Sequence, residues 1–171
     1  CGINGDAVLN GNVSRTLGVF PDPDLAVIDG QQYAARSFSA INDTSSKAIS
    51  NAVNPTTGVT YCQMGSVLQR VCSAYSSLNA QFCDAGGCTN GLAYTSQSCV
   101  SGGLVAGGDS GGGVFKEANG TLSARGIVIA DGNVGTLCVR YDHRLATVLV
   151  RYNATVVRNS TLVSGALVAA T

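Results

Sequence analysis

Gly108-Asp109-Ser110-Gly111-Gly112 is the stretch whose reading decides the fold. A serine hydroxyl that attacks a carbonyl needs preplaced donors for the negative oxygen that develops. Glycines around Ser110 let the backbone turn so that the N–H groups of Gly108 and Ser110 can point at that oxygen. Asp109 is suited to anchor the loop from behind through a buried ion pair. Ser110 is thus a candidate nucleophile, and Gly108 with Ser110 a candidate oxyanion hole. A serine in a flexible glycine turn would look the same in isolation, so the rest of the chain has to arbitrate. The only histidine, His143, lies after this serine.

The 171 residues are 45% hydrophobic, enough for a real core and most simply one unit. Charged residues make up 12%, ten basic against ten acidic, so the formal net charge is zero. Neither nucleic acid nor an anionic membrane surface is an expected partner of such a chain. No stretch approaches the roughly 18 unbroken apolar residues of a membrane span. The first residues do not resemble a signal peptide, so a mature or processed form is expected. Seven cysteines with several close pairs favour a disulfide framework over a metal site. No metal, nucleotide or organic cofactor is expected. Asn-x-Ser/Thr sequons at Asn12, Asn42, Asn119, Asn153 and Asn159 are candidate glycosylation sites and support a secreted, extracellular protein.

Twenty-two glycines, runs of Val, Thr and Ser, and turn dipeptides at short intervals predict an all-β protein. Strands are expected at Leu25–Ile28, Gly58–Gln63, Ser66–Ala74, Gly91–Thr95, Gly113–Lys116, Ala124–Ala130, Cys138–Asp142 and Ala154–Val157. Asn-Gly, Gly-Gly and Asp-Gly turns between them suit the hairpins of a barrel or sandwich. Leu145, Val148, Leu149 and Tyr152 recur at helical spacing and predict a short helix over Arg144–Tyr152. The small, apolar tail after residue 158 reads as a last strand or a loose end, with addition to a neighbouring sheet edge as the sharper alternative.

Outward from Ser110, the chain resembles the streptogrisin and α-lytic branch of the chymotrypsin-like serine proteases. Four segments carry the likeness: Phe20-Pro21-Asp22-Pro23-Asp24-Leu25-Ala26-Val27-Ile28, Tyr61-Cys62-Gln63-Met64-Gly65-Ser66 with Val71-Cys72, Gly91-Leu92-Ala93-Tyr94 through Gly113, and Ala124-Arg125-Gly126-Ile127 onward. The resemblance implies a double β-barrel with the catalytic groups between barrels and a short C-terminal helix. Residues 1–55 would be the remnant of an incomplete first barrel, 56–157 the second barrel and closing helix, and 158–171 a tail. It places the catalytic aspartate at Asp24. It also makes Cys62 with Cys72, Cys83 with Cys88, and Cys99 with Cys138 reasonable pairs, although spacing alone does not establish connectivity. Cys83-Asp84-Ala85-Gly86-Gly87-Cys88 then reads as a small disulfide loop rather than a metal loop.

In that family a cysteine directly follows the catalytic histidine, and the aspartate comes a little over twenty residues later. Cys1 stands 23 residues before Asp24 and fits that cysteine, so the chain begins one residue too late to include the histidine. Cys1 is left unpaired. His143, between Asp142 and Arg144, reads as a surface or helix-start residue and is rejected as a replacement base. Leu104, Val105 and Ala106 would wall the primary specificity pocket, and they are apolar. Where the family has Gly-Ile-x-Ser-Gly-Gly along the cleft strand, this chain has Gly126-Ile127-Val128-Ile129-Ala130-Asp131, so Ile129 and Asp131 replace residues that support the aspartate and admit substrate backbone.

The expected function is a secreted serine endopeptidase acting through an acyl-enzyme on a peptide or protein substrate, with this chain inert alone for want of its histidine. The alternative is a non-catalytic protease homologue used in binding or self-assembly by strand exchange through its tail. On either reading an N-terminal fragment or a second copy would complete the first barrel.

Overall fold

The computed structural model describes residues 7–8, 11–16, 26–30, 36–38, 45–85, 87–99 and 103–151. Cys1, Asp24, Asn42, Asn153, Asn159, the strand expected at Ala154–Val157 and the tail lie outside them. Twelve strands and one helix are described. β1 (Ala7–Val8), β2 (Gly11–Thr16) and β3 (Ala26–Gly30) form a three-stranded antiparallel sheet. The hairpin of β4 (Arg36–Phe38) and β5 (Ser46–Ala52) leads into the second, larger sheet. That sheet comprises β6 (Thr60–Met64), β7 (Arg70–Ala74), β8 (Ser77–Asp84), β9 (Gly87–Ser98), β10 (Gly113–Ala118), β11 (Thr121–Val134) and β12 (Leu137–Arg144), in the order β7-β6-β10-β11-β12-β9-β8. Helix α1 (Leu145–Arg151) follows directly. The architecture is all-β with a short C-terminal helix, as the sequence predicts.

The large sheet rolls up. The amide of Ser76 donates to Tyr94 O at 2.8 Å, and Thr95 Oγ1 donates to Ala74 O at 2.6 Å. These bonds bring the end of β7 against β9 and enclose a core of Tyr61, Tyr75, Ala93, Leu104, Val105, Val114 and Val128. Alternate residues of β11 supply its buried side: Leu122, Ala124, Gly126 and Val128 are buried, while Thr121, Ser123, Arg125 and Ile127 are only partly so. A period of two is what a strand with one covered face requires. A second cluster, Phe115 with Leu122 and Ala124, is packed by Ile49, Ala52, Met64 and Leu145. β5 reaches it by pairing in parallel with β11 at Leu122–Ala124, a stretch that β12 leaves open because its own pairing begins at Gly126.

Local chemistry explains several joints. Asn119 and Gly120 both have positive φ, 51° and 75°, and they form the two-residue turn between β10 and β11, where Ala118 pairs with Thr121. Asn-Gly suits such a turn because asparagine tolerates and glycine freely adopts the left-handed region. The Asn119 sequon therefore sits exposed on a hairpin tip. The Cys62–Cys72 and Cys83–Cys88 disulfides each join residues directly opposite on neighbouring strands. Cys99–Cys138 ties the end of β9 to β12. All three pairs are those the family resemblance implies.

Two expectations need correction. The strand predicted over Ser66–Ala74 begins only at Arg70, because the amides of Val67 and Leu68 are turned toward the Asp109 carboxylate and leave the ladder. β1, β2, β4, β5 and β8 were not anticipated. β5 is partly buried at all seven positions, so it shows no alternation to detect, and β8 mixes Asn, Gln and Asp with apolar residues.

Candidate active site

The segment Ala106–Gly113 is held from three directions. Asp109 is 1% exposed. Its Oδ1 accepts from the amide of Val67 at 2.7 Å and, more weakly, from that of Leu68 at 3.2 Å. Its Oδ2 accepts from the amide of Ala106 at 3.1 Å. The sequence-based expectation of a buried ion pair is therefore corrected: among the described residues the carboxylate is met by backbone N–H groups. Several amides converging on one carboxylate solvate its charge as an ion pair would, without a second buried ion. Ser66 Oγ donates to Gly108 O at 2.6 Å. Gly111 N donates to Val128 O at 2.8 Å and Val128 N to Gly112 O at 2.9 Å, so β11 grips the loop just past the serine.

Glycine is required here for space as well as torsion. Gly108 has φ of 106° and Gly111 of 85°, values that side-chain-bearing residues rarely adopt. A Cβ on Gly65 would stand 2.2 Å from Asp109 Oδ1. One on Gly112 would stand 2.8 Å from the carbonyl oxygens of both Asp109 and Met64. Gly65→Ala is accordingly expected to displace the Asp109 carboxylate and to cost about 1–3 kcal/mol, measurable by thermal unfolding. An unchanged melting temperature would mean that the loop absorbs the methyl group.

Within the turn, Asp109 N bonds to Ala106 O and Gly112 N to Asp109 O. Gly108 and Ser110, the two positions expected to supply oxyanion donors, are both exposed. The residues expected to shape the specificity pocket differ in burial. Leu104 and Val105 are 1% and 8% exposed and belong to the barrel core, next to Tyr75 and Val128. Ala106 is half-buried. Ile129 is the bulged residue of β11, skipped where pairing with β12 shifts between Val128 and Ala130. Asp131 is exposed and lies opposite Arg140.

His143 also needs correction. It is buried, on β12 opposite Ile127, rather than at a surface or helix start. Successive side chains of a strand point to opposite faces, so His143 and Asp142 face away from each other.

Asp142 belongs to a buried group that sequence reasoning missed. Asp142 and Arg140 are both fully buried on β12. Arg140 Nε donates to Asp142 Oδ2 at 2.9 Å, and the Tyr75 hydroxyl donates to the same oxygen at 2.6 Å. The Arg140 guanidinium also lies 5.8 Å over the Tyr75 ring. Burial pushes the Asp142 carboxyl above its usual range, against the opposing pull of Arg140. Burial also drives the Tyr75 phenol far up, with the Asp142 charge adding to the shift. The available signal was the Arg140-x-Asp142 spacing, which puts opposite charges on one face of a strand. Among the described residues no group of His, Cys, Asp and Glu side chains could hold a metal ion, and no helix is long and apolar enough to cross a membrane.

A rolled antiparallel sheet with a pinned Gly-Asp-Ser-Gly-Gly turn and a closing helix defines the class: the chain has the chymotrypsin-like serine protease fold. Comparison with solved structures bears this out. Thermobifida fusca protease A superposes with a TM-score of 0.73 at 20% identity, over 93% of this chain and 81% of that one. Cellulomonas bogoriensis chymotrypsin gives 0.73 at 21% identity, over 93% and 82%. A glutamic acid-specific serine protease that uses a histidine triad in substrate binding gives 0.68 at 23% identity, over 86% and 73%. No protein-family model matches the sequence, and no curated protein matches it significantly.

Proposed function

We propose that this chain is a secreted serine endopeptidase of the chymotrypsin type that cleaves peptide bonds through an acyl-enzyme. Ser110 Oγ attacks the scissile carbonyl, and a histidine takes its proton and delivers it to the leaving amine. Asp24 orients that imidazole and stabilises its charged form. The amides of Gly108 and Ser110 receive the oxyanion. Water then repeats the sequence on the ester and releases the acid. The histidine would stand directly ahead of Cys1, as the spacing from Cys1 to Asp24 suggests.

The observation that carries the reading is the Asp109 anchor. It commits a buried carboxylate and three backbone amides to holding an exposed serine in one place, which is the preorganisation that acyl transfer needs. The three disulfides support export.

The test is treatment of the natural protein with a fluorophosphonate, with the modified peptide mapped by mass spectrometry. A single adduct on Ser110 is expected. Reduction is expected to show a histidine immediately before Cys1, within the same polypeptide or in a peptide released from it. A protein that takes up no probe would transfer the lead to the non-catalytic reading, binding or self-assembly on the same fold.

A further inference from the structure

The Arg140 guanidinium is bound on one side only. It is 0% exposed, and its Nε is engaged by Asp142 Oδ2. Nη1 and Nη2 are both buried, and neither has a hydrogen-bond partner among the described residues. A guanidinium carries five N–H donors, so the outer fork, with four of them, is left over. Leaving charged donors unmet in a low-dielectric interior is costly. Asp142 meets only Nε: its Oδ2 receives Nε and the Tyr75 hydroxyl, and its Oδ1, also buried, has no hydrogen-bond partner among the described residues. Asp131 stands opposite Arg140 on β11 but is exposed and forms no ion pair with it.

The position of the fork relates it to the nucleophile. Arg140 lies over Tyr75, and Tyr75 shares one core cluster with Leu104, Val105 and Val128, with Cys138 packed at its side. Leu104 and Val105 directly precede the Ala106–Gly113 segment. Val128 exchanges hydrogen bonds with Gly111 and Gly112, just past Ser110. The unpaired donors therefore belong to the same packed unit as the walls of the nucleophile loop.

We propose that Arg140 is the specificity-determining residue of this site, its Nη1–Nη2 fork receiving the side-chain carboxylate of an aspartate or glutamate on the acyl side of the scissile bond. The inference rests on the serine endopeptidase reading above. Two parallel N–H groups match the two oxygens of a carboxylate. The apolar walls exclude water and strengthen that contact. A glutamine offers the fork one oxygen and brings its own donors, and a leucine leaves the fork unmet, so both are rejected.

The experiment uses the natural protein, including whatever precedes Cys1, and a set of peptide substrates identical except for Glu, Asp, Gln, Leu or Phe before the cleaved bond. The kcat/KM for Glu or Asp is expected to exceed that for Gln by at least ~100-fold. In Arg140→Gln that ratio is expected to fall to near one, with Ser110 still labelled by a fluorophosphonate as proof that the variant folds. If Arg140→Gln does not fold, the substrate series on the unaltered protein and on Arg140→Lys, which keeps the charge and loses the fork, decides the matter. Labelling of Ser110 with cleavage after Leu or Phe as fast as after Glu overturns the specificity inference alone. Absence of both labelling and cleavage overturns the endopeptidase reading and this inference with it.

Discussion

Ser110→Ala is expected to lower peptide hydrolysis by the natural protein on the order of a million-fold in kcat, leaving substrate affinity within a few-fold of its original value. On the proposed endopeptidase reading the hydroxyl is the group that would form the covalent bond, so its loss would remove the acyl-enzyme route entirely. What would remain on that reading is the contribution of the amides of Gly108 and Ser110, which are backbone groups and survive the substitution. The side chain is exposed, so the variant should unfold within about 0.5 kcal/mol of the parent. Steady-state kinetics beside a thermal melt separates the two effects. A variant that keeps a tenth of the rate would mean that Ser110 is not the nucleophile.

The second large effect is on stability. Asp142→Ala strips the buried Arg140 cation of the carboxylate on its Nε, and leaves the Tyr75 hydroxyl without its acceptor. Breaking a buried pair from one side costs about 3–5 kcal/mol, since the surviving charge remains in low dielectric. For a chain of this size that corresponds to a fall of roughly 6–20 °C in melting temperature. Replacing both partners together, Arg140→Met with Asp142→Leu, is expected to recover most of the loss, because neither charge then has to be desolvated. Differential scanning calorimetry on the two variants tests this. Equal destabilisation of the single and double variants would place the cost in packing rather than in the unpaired charge. The double variant should also lose any preference for acidic substrates, which links this measurement to the specificity experiment.

The turn around the candidate nucleophile was legible because its geometry is local. A serine among glycines that must adopt positive φ can be recognised from five consecutive residues, and Gly108 and Gly111 do have that geometry. The β10–β11 hairpin was legible for the same reason, through Asn119-Gly120. The role of Asp109 was legible only by half. Its task of holding the loop followed from its place beside Ser110, but its partners did not, since Val67 and Leu68 lie 42 and 41 residues away. That one long-range contact also explains why the strand expected from Ser66 starts late. His143 was misplaced because its hydrophilic neighbours suggested surface, whereas the register of β12 against β11 buries it.

What the sequence by itself determined was the class of fold and the candidate nucleophile. Alternation along β11, turn chemistry between strands and the glycines around Ser110 are properties of neighbouring residues, and they act before the chain closes. What only the tertiary structure decided was the state of the charges. Arg140, Asp142 and Tyr75 are ordinary surface residue types, and Tyr75 is 67 positions from Asp142. Whether such groups stand in water or share a buried network depends on which strands roll together around them. The cost of burying a charge is set by its neighbours in space, and those neighbours come from distant parts of the chain.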